Sequence, residues 1–285
     1  MKPTSLFQGK FEMSKKNFFF SAALAASLAF GSMQADAAAI RNASAFTDNT
    51  LAANDDGSTG LVSIGFSIDF FGSTYSNLYV NNNGNVTFTQ SLSTFTPFSL
   101  LSTNIPMLAP FFADVDTRGS GSGLTQYGQD TIDGRAVFGV NWIGVGYFPS
   151  ATDKLNSFQL IVTDRSDIGA GDFDFEFNYD QIQWETGGAS GGSGGLGGSS
   201  ARAGWSNGST QSYEINGSAV NGAFLDNNPS NALINNSLNS NVDGRYIFQV
   251  RNGQVEPPTI PEPASLALLG IGLAGLGFTR RRRRA

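Results

Sequence analysis

The chain has 285 residues, a formal net charge of −6, and neither Cys nor His. With no thiol there is no disulfide frame, no thiolate nucleophile and no zinc finger. With no imidazole, a Ser-His-Asp triad and every His metal site are excluded as well.

The N-terminal region reads as an export leader. Lys15 and Lys16 precede the apolar run NFFFSAALAASLAF, and Ala35-Asp36-Ala37 follows as an Ala-x-Ala cleavage site. This is the layout of a secretory signal peptide over 1–37, with translation starting at Met13. Between Ala38 and Val255 the chain carries 8 basic against 19 acidic residues, a net charge of −11. That excess repels nucleic acid and anionic lipid, so no nucleic-acid partner is expected. Lys154 is the one lysine of this span, which leaves amine-based covalent chemistry a single candidate.

From Ser63 the pattern is that of strands. SIGFSIDFF alternates apolar and polar side chains, and LYVNNNGNVTF sets Asn83-Gly84 between two β-formers as a hairpin turn. AVFGVNWIGV, SFQLIVT, DFDFEFN and RYIFQVR continue the series, and no stretch of helical length carries a 3.6-residue apolar stripe. The expected fold is mainly β: one antiparallel, sandwich-like domain over 38–255. GGASGGSGGLGGSS (187–200) contains a G-x-G-x-x-G match, but no helix pattern follows it, so it is not a dinucleotide site. After a Pro-rich spacer (256–260), residues Ala264 to Phe278 form a 15-residue apolar segment ahead of Arg280 to Arg284. Such a segment makes a short transmembrane helix of about 22 Å, with the arginines on the cytoplasmic side.

Three features invite chemistry. Asp114 and Asp116 in ADVDTRGSGSG share a face if extended and are candidate Ca²⁺ ligands; an Asx-turn closed by Asp116, with Arg118 paired nearby, is the structural alternative. Asp172, Asp174 and Glu176 line one face of DFDFEFN, as in a two-carboxylate glycan hydrolase or simply as a solvated face opposite three phenylalanines. Tyr147 and Trp205 border turns and are the candidates for stacking on sugar rings, whereas Trp142 and Trp184 belong to the core.

Two resemblances arise from these residues. PEPASLALLGIGLAGLGFTRRRRRA (261–285) has the Pro261-Glu262-Pro263 triplet, the Gly/Leu/Ala-rich segment and the terminal arginines Arg280, Arg281, Arg282, Arg283 and Arg284 in order. It resembles the PEP-CTERM sorting signal of Gram-negative bacteria. That likeness implies an exosortase-type processing enzyme as partner, transient residence in the inner membrane, and then the cell surface or extracellular matrix. APFFADVDTR, VFGVNW, NSFQLIVTDRSDIGAGDFDFEFNYDQIQWETG and ARAGWSNG, within about Ser63 to Trp205, resemble the nidogen-like (NIDO) domain. This second likeness implies a non-catalytic extracellular module of the cell–matrix adhesion type, with no cofactor, and makes 187–200 a loop inside the domain. The alternative function is a carbohydrate-binding protein of the exopolysaccharide or biofilm matrix.

Overall fold

The computed structural model describes residues 38–42 and 44–258. The leader with Ala35 and Ala37, the triplet Pro261 to Pro263, the apolar segment after it and Arg280 to Arg284 all lie outside the described residues. No described helix is long and apolar enough to cross a membrane.

The strands are β1 (Asn49–Thr50), β2 (Val62–Phe70), β3 (Ser73–Asn81), β4 (Asn85–Thr87), β5 (Pro106–Phe112), β6 (Thr125–Ile132) and β7 (Arg135–Tyr147). They continue as β8 (Ala151–Asp164), β9 (Phe173–Gln181), β10 (Arg202–Asn207), β11 (Ser212–Glu214), β12 (Arg245–Arg251) and β13 (Gln254–Val255). They form two antiparallel sheets, ordered β1-β6-β7-β8-β9-β12-β13 and β11-β10-β5-β4-β3-β2. Period-2 alternation decides which side chains meet between them. Phe138, Val140 and Trp142 of β7, Phe158, Leu160 and Val162 of β8, and Phe173, Phe175 and Phe177 of β9 enter one core with Ile68, Leu78, Val80, Leu108 and Phe111 of the other sheet. Core ring pairs include Trp142 stacked on Phe158 and Phe175 stacked on Phe248.

Both outer faces are partly covered. Leu92, Leu100 and the half-buried Phe98 pack on Met107, Ala109 and Phe112 of β5. On the other sheet, Ala45 and Phe46 pack against Val137 and Ile161. Beside them runs a polar ladder: Asn178 donates to Gln159 at 3.1 Å, and Gln159 donates to Asn141 at 2.8 Å and to the Arg41 carbonyl at 3.1 Å. The N-terminal segment is thus fastened across β7, β8 and β9.

Two expected elements take a different local form. β2 does not alternate without interruption. Its register to β3 shifts between Ser63 and Ile68, where Gly65 adopts φ +97° and the Gln129 side chain lies over it. The Asn83-Gly84 hairpin pairs Asn81 with Asn85, so its loop has three residues, 82–84, rather than two.

The glycine tract is a folded loop joining β9 of one sheet to β10 of the other. Glu185 and Thr186 donate backbone N–H groups to the Gly195 carbonyl, and Ser193 and Leu196 bond each other. Gly195, at φ +85°, lies so close to Trp184 that an added Cβ would sit 2.8 Å from the tryptophan's own Cβ. All described residues fall within one compact unit.

Candidate metal centre

The buried turn Asn82-Asn83 is the platform of the site. Asn82 Nδ2 donates to the carbonyls of Asp55 and Val115, both at 2.6 Å. The Asn82 backbone N–H donates to Gly57 O at 2.9 Å, and Trp142 Nε1 donates to Asn82 O at 3.0 Å. Asn83 Nδ2 donates to Asp56 Oδ1 at 2.9 Å, while its Oδ1 accepts from Val115 N–H at 2.9 Å. These bonds tie the loop before β2 to the extended segment after β5. The loop is also closed locally, by Gly57 N–H donating to Asn54 Oδ1 at 2.6 Å.

One carboxylate oxygen each from Asp55, Asp56 and Asp114 lies within 4.8 Å of the other two. Asp114 is buried, and its Oδ2 has no hydrogen-bond partner; Asp55 Oδ1 is likewise buried without one. The Ala189 backbone N–H donates to the Asp114 carboxylate, and Gly187 packs so closely on Asp114 Oδ2 that a side chain there would collide with it. Two like charges at 4.8 Å repel by about 3.5 kcal/mol at an effective dielectric of 20. The acid–base behaviour follows. Burial, then the charges of Asp55, Asp56 and Asp116, push the Asp114 carboxyl up to about 7. Burial, then Asp116 and Asp56, raise Asp55 to about 6 despite the nearby Arg118.

Asp116 behaves differently. It accepts from the Arg118 backbone N–H at 3.0 Å, from Arg118 Nε at 2.9 Å and Nη2 at 2.6 Å, and from the Ser150 N–H at 2.8 Å. Burial opposes its charge, but these bonds outweigh burial and hold it below the ordinary carboxylate range. Of the two sequence candidates, then, Asp114 faces the acidic cluster and Asp116 closes an Asx-turn on Arg118. Arg118 also reaches Asp55 Oδ2 at 3.0 Å. Asp55 and Asp56 were not singled out from the sequence. Their signal is the short string NDDG, which gains meaning only once the Asn82-Asn83 turn brings it to Asp114.

The other candidates take different places. Tyr147 and Trp205, expected to face sugars, are 5% and 7% exposed and belong to the core, so that expectation is corrected. Trp205 stacks on Phe71 at 5.4 Å, and Tyr147 packs against Trp184 at 5.4 Å. Turns flank them in sequence, but both rings point inward between the sheets. The solvated acidic face of β9 is also corrected. Glu176 is buried under Arg41, and Asp174 pairs with Arg165 at 2.6 Å and Arg251 at 2.7 Å. Asp172 is buried too, accepting from the Asn252 N–H at 2.8 Å.

The nidogen-like domain model matches residues 76–133 and 124–252, which together take in the Asn82-Asn83 platform, Asp114 and the strands from β4 to β12. The chain belongs to the nidogen-like domain family. The nidogen-like match spans the glycine tract and continues past Trp205 to the end of β12. A second family, the PEP-CTERM protein-sorting motif, matches residues 259–284. Alpha-tectorin of Mus musculus is 33% identical over 228 residues, covering 71% of this chain and 10% of the tectorin. Alpha-tectorin of Gallus gallus is 32% identical over 231 residues. Nidogen of Drosophila melanogaster is 29% identical over 214 residues, 64% of this chain and 14% of that nidogen. The chain therefore spans only about a tenth of the length of the tectorins it matches. No solved structure matches it. A nidogen-like domain joined to a sorting motif marks an exported surface protein.

Proposed function

We propose that this protein is a non-enzymatic adhesion or structural module of the cell surface or extracellular matrix of a Gram-negative bacterium, delivered by an exosortase-type processing enzyme. The observation that carries the reading is the presence, in one chain, of a nidogen-like domain and a C-terminal PEP-CTERM motif. Export begins with removal of the leader after Ala37. The apolar segment then holds the chain transiently in the inner membrane, with Arg280 to Arg284 inside, until cleavage at Pro261-Glu262-Pro263 releases the acidic domain outward. Moving each arginine through the bilayer costs at least ~2.5 kcal/mol, so the uncut tail stays behind.

The non-enzymatic part has support in the ion pairs of β9. Asp174 and Glu176, the carboxylates spaced for glycan hydrolysis, are each occupied by arginines. The same domain supplies the surface that meets matrix components, polysaccharide among them.

Intact-mass measurement of protein recovered from outside the cell tests the sorting route. A chain beginning near Ala38 and lacking Arg280 to Arg284 is expected. Full-length chain, arginines included, as the dominant external form would overturn it. Loss of cell or matrix attachment on deleting the gene, restored by the wild-type copy, tests the adhesive role.

A further inference from the structure

We propose that Asp55, Asp56 and Asp114 form a calcium site that fastens the loop before β2 to the segment after β5. The proposal does not depend on how the protein is sorted. It rests on geometry and on unmet hydrogen-bonding capacity rather than on acidity alone.

Three oxygens mutually within 4.8 Å leave a central point no farther than about 2.8 Å from each. Calcium binds oxygen at about 2.3–2.6 Å with six to eight ligands in flexible geometry, whereas magnesium requires about 2.0–2.1 Å and a near-regular octahedron. That bound leaves room for the larger ion. The donor set is oxygen only, in a chain that has no His or Cys to offer.

The second observation is independent of the cluster's charge. Two buried carboxylate oxygens in this group, Asp114 Oδ2 and Asp55 Oδ1, have no hydrogen-bond partner. Asp114 is only 1% exposed. Buried polar atoms are satisfied as a rule, and an orphaned pair on neighbouring carboxylates calls for a cation. Other atoms of two of these side chains are held by the fold: Asn83 donates to Asp56 Oδ1, and Arg118 pairs with Asp55 Oδ2. Such contacts orient carboxylates toward a metal while leaving an oxygen of each to bind it. Arg118 does not neutralise the group. It is one positive charge among Asp55, Asp56, Asp114 and Asp116, and its guanidinium is bidentate on Asp116. Waters complete the coordination.

Extracellular calcium modules bind at about 10⁻⁴–10⁻³ M, a concentration range an exported protein meets outside the cell. Occupancy would lock the loop of Asp55 and Asp56 onto the core and stabilise the folded state by mass action.

The test is thermal unfolding of the full chain in chelator, in about 10 mM CaCl₂ and in about 10 mM MgCl₂. Calcium is expected to raise Tm by about 3–10 °C, and magnesium by much less. Asp114→Asn and Asp56→Asn should each abolish the calcium shift, while Asp133→Asn, an exposed acid elsewhere, should keep it. Asp56 is the less buried ligand, so Asp56→Asn carries the test if Asp114→Asn does not fold. No shift in wild type, an equal shift with magnesium, a shift retained by Asp56→Asn, or loss of the shift in the Asp133→Asn control would each overturn the proposal.

Discussion

Arg41 donates from Nε and Nη2 to the two carboxylate oxygens of Glu176, at 2.8 and 3.0 Å, across 135 residues of sequence. The pair clamps the first described residues of the domain onto the outer face of β9, where Asn178 also donates to Glu176 at 3.4 Å. Glu176 is 7% exposed, and its other cation, Arg245 Nε, stands off at 3.9 Å, so removing Arg41 leaves a poorly paired charge in a site that water scarcely reaches. Arg41→Ala is expected to destabilise the domain by about 2 kcal/mol, discounted from the fully buried case because the Arg41 side chain is partly exposed. Urea unfolding measures it. Glu176→Gln with Arg41→Ala should cost less than Arg41→Ala alone, since the poorly paired charge is gone.

Gly84 ends the three-residue loop between β3 and β4 with φ +70°. An added Cβ would fall on the Phe111 carbonyl, and Phe111 N–H donates to Gly84 O at 3.1 Å. Neither backbone can withdraw without breaking this contact between hairpin and β5. Gly84→Ala should therefore cost about 3 kcal/mol or more, well above the roughly 1 kcal/mol of an ordinary left-handed position. Soluble yield and the urea midpoint of the variant report it; a loss near 1 kcal/mol would mean the loop relaxes freely.

The legible part of this fold is the part written in period two. β7, β8, β9 and β12 could be read from alternation because each presents one face to the core, and the phenylalanines of DFDFEFN point where that rule sends them. The fate of the opposite face could not be read. Asp174 and Glu176 alternate like solvated residues, but Arg165 from the β8–β9 connection and Arg251 and Arg41 from distant segments reach them. The same limit hid the acidic cluster. ADVDTR showed two aspartates two residues apart, but the side chains that meet are Asp114 and a pair nearly sixty residues upstream, joined through the Asn82-Asn83 turn. Tyr147 and Trp205 mark a third limit, because proximity to a turn does not fix the direction of a side chain.

Trp205 bears directly on sugar binding. It is 7% exposed, stacks on Phe71 and meets Phe70 edge-on at 6.1 Å. Trp142 and Trp184 are fully buried. All three indoles should therefore emit in the blue, and soluble sugars or the organism's own polysaccharide should leave their fluorescence unchanged. Trp205→Ala should lower stability by about 3–5 kcal/mol, as for other large core truncations. Quenching by a glycan with saturation behaviour would instead require the ring to reach solvent.

In chelator the acidic cluster should make the domain less stable as pH rises through neutrality. Asp114 and Asp55 have folded pKa values of about 7 and about 6, both above the ordinary 3.8. Glu185 and Asp226 are also raised, chiefly by burial, against backbone N–H bonds that lower them. For such groups the folded state holds protons that the unfolded chain has released. The contribution of Asp55 and Asp114 is complete below about pH 4 and is lost as pH climbs through 6 and 7, and that of Glu185 and Asp226 has the same sign. Asp116 has the opposite sign: its depressed value adds stability that disappears as pH falls below the ordinary carboxylate range. Asp167, lowered to about 2 chiefly by Arg165, is exposed and adds little in the same direction. The unfolding midpoint should thus peak near pH 4–5 and decline toward pH 8. Asp114→Asn, neutral at every pH, should flatten the decline on the alkaline side while leaving the acid limb in place. Urea midpoints at pH 5 and pH 8 decide the matter: a higher midpoint at pH 8 for the wild-type protein in chelator would mean that Asp55 and Asp114 ionise in the folded state as freely as they do in the unfolded chain.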